Sequence, residues 1–246
     1  MRQTLNLIKK KQQRFAQLSL FEFMQDKTID PVKRLAFAPC AAPFIMSFTD
    51  LCKYVLREEP TSDKVQEILN FHTYEDDFHW QWYLADLEKL GFNYSLEFND
   101  SLTFLWGDET KASRFLAHEL YRLIVESNAV EKLMILEAME AAADVFLAQT
   151  GKITKELEPI TNLEYEYFGS SHSAAEHNHN TRSHDARKFI QNIRVSPEAE
   201  QKIADLVEQV FQLFTHWSDR LLSFAQDYQI SQPATSTKKQ KVLILS

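Results

Sequence analysis

Glycine is nearly missing from this chain: 4 in 246 residues, against an average of about 7 %. Sheets joined by tight hairpins need glycine at positive φ, so so few of them point to an all-α fold. The four positions, Gly91, Gly107, Gly151 and Gly169, look like punctuation between helices, where a left-handed cap is wanted. Cysteine is also scarce. Cys40 and Cys52 are the only two, with no CxxC pair for a zinc site and no disulfide framework. They read as small buried hydrophobes, and a reducing, cytoplasmic setting is the expectation. No run of 18 apolar residues occurs, so no membrane span is predicted. The N-terminal stretch lacks the apolar segment of a signal peptide. Basic charge is in deficit as well: the formal net charge is -8, which argues against nucleic acid as a partner, because phosphate neutralisation needs a basic face.

What is present is helical periodicity and an unusual set of ionisable side chains. A first helix is predicted from Thr4 to Met24, and a second element starts at Asp30-Pro31 and is interrupted by Pro39 and Pro43. Pro60-Thr-Ser-Asp63 is a start signal for one long helix reaching Leu90 and Gly91. A connection over 93–99 follows, then a helix from Gly107 to Ser127. Another runs from Glu131 to Thr150, ended by Gly151, with further pieces at 153–168 and 170–193. Ser196-Pro197 caps the last helix. Residues 1–230 are expected to form one domain of seven to nine helices, and 231–246 a polar linker and tail. The apolar Val242–Leu245 run in that tail is able to pair with a neighbouring chain, which leaves room for a homodimer.

Three segments carry candidate chemistry. The first is His172-Ser-Ala-Ala-Glu176-His177-Asn-His179. Positions i, i+4 and i+7 share a helix face, so His172, Glu176 and His179 point the same way, a ligand set suited to iron, manganese or zinc. His177 and His184 fall off that face. The second is His72-Thr-Tyr-Glu75-Asp76-Asp77-Phe-His79, where His72, Asp76 and His79 cluster on one side of an aromatic helix and Glu75 sits at the other edge. Charged groups are rarely buried unless paired or metal-bound. The third is Glu137-Ala-Met-Glu140-Ala-Ala-Ala-Asp144, carboxylates among small residues that let helices approach closely. Lone histidines at 118 and 216 read as core histidines. Inward carboxylates and histidines on facing helices are how helix bundles build di-iron sites.

On these residues the chain resembles the heme-oxygenase-like fold. The likeness is to the branch holding the Chlamydia protein associated with death domains and the heme-oxygenase-like di-iron oxidases, with thiaminase-like (TenA-type) proteins more distant. It covers Thr4 to Tyr228. The resemblance implies a metal site from His172, Glu176 and His179 on a late helix, Glu140 on a middle helix and His79 on an early one. The early acid has alternatives: His72 stands where some relatives carry it, Asp76 fits the spacing of others, and Glu75 is a third position. The glycine-rich distal helix of true heme oxygenases has no counterpart here, and Cys40 and Cys52 do not sit in a thiaminase-type site. The function implied is a non-heme di-iron, or iron/manganese, oxidoreductase that activates O2 on a small-molecule substrate. Two iron sites are expected, with Tyr74, Trp80 and Tyr83 near the helix face. A metal- or small-molecule-binding helical protein without redox activity, or an interaction module, is the alternative.

Overall fold

The computed structural model describes residues 1–170, 172 and 184–231, and among them it is all-α with no strand. In chain order the helices are α1 (Arg2–Phe15), α2 (Ser19–Gln25), α3 (Pro31–Arg34), α4 (Ala38–Leu51), α5 (Lys64–Asp76), α6 (His79–Lys89), α7 (Phe98–Trp106), α8 (Lys111–Val125), α9 (Ala129–Thr161), α10 (His184–Asn192) and α11 (Pro197–Ser231). A single π-helical turn, Cys52–Leu56, continues α4. No described helix is long and apolar enough to cross a membrane. The tail beyond Ser231, with its Val242–Leu245 run, lies outside the described residues, as do Glu176, His177 and His179.

The axis of the fold is α9. It opens on a capping box in which the Asn128 side chain accepts from the Val130 and Glu131 amides while Glu131 reaches back to the Asn128 N–H. It closes at Asn162, in the left-handed conformation at φ 55°. Leu133, Met134, Ile135, Leu136, Ala138 and Met139 are buried in succession, because α1, α2, α3, α5 and α11 pack around it. The second long helix, α11, lies against α8, α9 and α1, with Val207, Val210, Phe214, Trp217 and Leu221 in the core.

Several expected boundaries move. The first helix breaks after Phe15, and the long helix from Asp63 breaks at Asp77-Phe78, so there are more helical pieces than expected. The break in the second is a tertiary effect: the Asp77 carbonyl accepts from Thr49 Oγ1 at 3.3 Å, and its carboxylate faces Arg57 and Lys53. Gly151 does not end its helix, which runs on through Pro159 to Thr161. A Cβ at Gly151 would only touch Gly169 and Phe168 at 3.9 Å, so no special conformation is imposed there. Gly91 does end α6, at φ +77°. Pro43 sits inside α4 without breaking it. An unexpected short helix, α7, follows the 93–97 connection. His118 and His216 are corrections too: both are exposed rather than in the core.

Candidate metal centre

Two helices converge on one buried cluster. His72 and Asp76, one turn apart on α5, face the core because the helix lies against α9. His72 is fully buried, and Asp76 nearly so. Glu140 enters from the middle of α9, with Ala141 and Ala142 allowing the helices to approach. His72 Nε2 lies 2.8 Å from Asp76 Oδ2 and 3.3 Å from Glu140 Oε1. One ligand atom from each of His72, Asp76 and Glu140 falls within a 4.8 Å sphere of mutual distances.

A second half joins this one through Asp76. Its other oxygen, Oδ1, is 3.3 Å from His79 Nδ1 at the start of α6. Asp76 therefore turns one oxygen to each of two imidazoles, the disposition of a bridging carboxylate. The His79 ring stacks on Trp82 at 4.6 Å and 18°, and meets His172 edge-on at 4.5 Å. His172 is held by its own segment. Its Nδ1 lies 3.0 Å from the Tyr167 carbonyl, and its amide donates to the Glu166 carbonyl at 3.2 Å. A carbonyl only accepts, so Nδ1 carries the proton and the neutral ring has its lone pair on Nε2. Metal-binding histidines are commonly fixed in this way.

The segment that holds His172 is itself pinned. Asp86, fully buried and two turns along α6 from His79, accepts the Glu166 amide at 3.1 Å and the Phe168 amide at 2.9 Å, on either side of Tyr167. Lys89 donates to the Glu164 carbonyl and the Glu166 carboxylate, each at 2.8 Å. Gly169 completes the turn: a Cβ there would stand 1.9 Å from the Tyr165 carbonyl oxygen, so no larger residue fits.

The electrostatics of the two halves differ. Burial disfavours charge on His72, but the Asp76 and Glu140 carboxylates and their hydrogen bonds overcome it, and its pKa is held well above the ordinary value. Burial, aided by neighbouring His79, lowers His172 to about 4. Desolvation, then the field of Asp76 and Glu140, raises the Cys52 thiol, so it stays protonated and inert.

Of the sequence candidates, the structure brings together His72, Asp76, His79, Glu140 and His172. Glu75 is half-buried and is not among the three clustered donors. Glu137 and Asp144 share with Glu140 a separate polar cavity between α1, α9 and α10. Tyr74 is exposed, with its hydroxyl on Glu59, and Tyr83 is buried with its hydroxyl on the Ala38 carbonyl; of the three expected aromatics, only Trp80 adjoins the neighbouring cavity. Sequence reasoning missed Trp82, Tyr167 and Asp86. Asp86 left a trace: an acid seven residues after His79, on a helix rich in aromatics.

No family model and no curated protein matches the chain. The donor set fits a metal ion on its own chemistry: imidazole and carboxylate ligands, buried and mutually close, are what iron, manganese or zinc take.

Proposed function

We propose that the chain is a non-heme di-iron, or iron/manganese, oxidoreductase that activates O2 on a small organic substrate, akin to the heme-oxygenase-like di-iron oxidases. The observation that carries this reading is the convergence of His72, Asp76 and Glu140 from two helices, with Asp76 reaching on to His79 beside His172. His72, Asp76 and Glu140 would hold one metal. His79 and His172, with Glu176 and His179 from the same late segment, would hold a second, and Asp76 lies where it would serve both. Bound iron would supply the electrons that make O2 reactive.

The chain's own residues prepare that site. Glu140 and Asp76 supply negative charge to a cation. The carbonyl of Tyr167 fixes the His172 tautomer, and Asp86 holds that carbonyl in place. Trp82 braces the His79 ring. Apolar walls beside the imidazoles exclude water and receive the substrate.

The test is anaerobic loading of the full chain with Fe(II), followed by metal analysis and then mixing with O2 in a stopped-flow spectrometer. Wild type should retain iron and consume O2, while Glu140→Ala and His172→Ala lose iron. Wild type holding no more iron than Glu140→Ala ends the metal reading. Iron retained without O2 consumption leaves a binding protein of the same architecture, the non-redox alternative.

A further inference from the structure

A narrow cavity opens against His79 and His172 and runs between α1, α4, α9 and α11. Its polar lining is confined to one end. Asp76 contacts His79, His79 contacts His172, and His172 contacts Tyr167. Thr49, also in the wall, bonds the backbone of Asp77 next to Asp76. The other end is an aromatic cage. Phe44 meets Trp217 at 5.2 Å and Phe214 at 5.7 Å, Phe15 meets Phe214 at 6.4 Å, and Phe146 lies 5.7 Å from Trp217.

That cage has no hydrogen bond to offer among the described residues. Its only N–H is the Trp217 indole, which donates at 2.8 Å to Ser113 Oγ, and Ser113 passes its own proton to the Cys40 carbonyl at 2.6 Å. No described lysine or arginine lines the cavity. A charged or hydrogen-bonding group pushed into the cage would lose its water and find no partner, at a cost that an apolar group does not meet.

We infer that the substrate is a two-ended molecule: an uncharged apolar body seated in the Phe15–Phe44–Phe146–Phe214–Trp217 cage, and one polar reactive group placed beside His79 and His172. Sugars, nucleotides, phosphorylated compounds and free amino acids with polar side chains are thereby excluded. The apolar half of this inference stands on the cavity; the reacting end rests on the function proposed above.

The experiment titrates the metal-free full chain with straight-chain alcohols from 1-butanol to 1-octanol, read by tryptophan fluorescence, with 8-amino-1-octanol as comparator. Each added methylene should tighten binding by about fourfold (~0.8 kcal/mol) until the cage is full. The ammonium end of the amino alcohol should weaken binding by about 100-fold or more relative to 1-octanol. Ala143→Leu, which narrows the cavity from α9, should shorten the longest chain that still gains affinity. Leu147→Ala, which widens it, should lengthen that chain, and serves if the first variant does not fold. Affinity that is flat with chain length, or equal for the amino alcohol, overturns the inference. Because iron is absent throughout, the two readings fail separately. Chain-length dependence in a protein that binds no iron removes the oxidase alone, and iron binding without chain-length dependence removes the apolar substrate alone.

Discussion

His72 and His172 belong to one cluster, yet their surroundings push them to opposite charge states. His72 sits between two carboxylates and keeps its proton; His172 sits against an imidazole, the Trp82 and Tyr167 rings and a backbone carbonyl and loses it. Burial is the leading influence on both and acts in the same direction. The difference therefore lies in what the second neighbour is, a carboxylate or another imidazole. Without metal, the α5–α9 half sets an imidazolium between two carboxylates, whereas His172 is a neutral imidazole.

Loss of a carboxylate would break this contrast most directly. Glu140→Ala leaves the buried imidazolium paired with Asp76 alone, and losing one hydrogen-bonded partner of a charged group costs about 1–3 kcal/mol. Urea unfolding of the metal-free protein at neutral pH measures it; a cost near that of an ordinary surface substitution would mean that His72 is not charged.

Acid tests the other half. A histidine at about 4 in the fold against 6.5 in the unfolded chain makes the unfolded state the better proton binder between those values. Stability should therefore fall as pH drops from 6.5 to 4, by roughly 3 kcal/mol in all. His72 has the opposite sign. Its raised pKa contributes stability that is fully present below 6.5 and lost only as pH rises through its folded value, so it adds no slope in the acid window. His172→Phe should flatten that part of the profile relative to wild type, and a parallel profile would contradict the neutral assignment.

Asp86→Asn gives a smaller effect. An amide can accept one of the two backbone N–H groups but turns its own donor on the other, a loss of about 1–3 kcal/mol. The pH slope assigned to His172 should weaken with it, since the Tyr167 carbonyl is no longer held. An unchanged slope would separate Asp86 from His172. Smallest of all, His216→Ala changes an exposed histidine and should stay within about 0.5 kcal/mol of wild type.

The helical class was readable in the want of glycine, and so were the helix start at Pro60-Thr-Ser-Asp63, the Ser196-Pro197 start and the turn at Gly91, because these are local choices of backbone. The metal candidates on α5 and α9 were readable too, because histidines and acids on an apolar face need a partner. Other features depend on residues far apart in the chain. The hydropathy runs on unbroken through Asp77-Phe78, and only Thr49, Arg57 and Lys53 show why the helix breaks there. That break lets Asp76 and His79 face each other across a junction instead of along one helix. Asp86 reads locally as a surface acid until residues 166 and 168 fold over it. His118 and His216 misled because a stripe of apolar neighbours does not reveal which flank of a helix faces water.

The 33-residue helix α9 is also a partition. One flank, with Met139, Ala142, Ala143 and Phe146, walls the dry chamber; the other, with Glu137, Glu140 and Asp144, walls a polar one that also takes in Lys9, Gln12 and Arg187. Asp76 looks into the first and Glu140 into the second, and His72 touches both. An apolar and a polar cavity thus lie on opposite flanks of one helix, and the His72 imidazole stands between the carboxylates that face them.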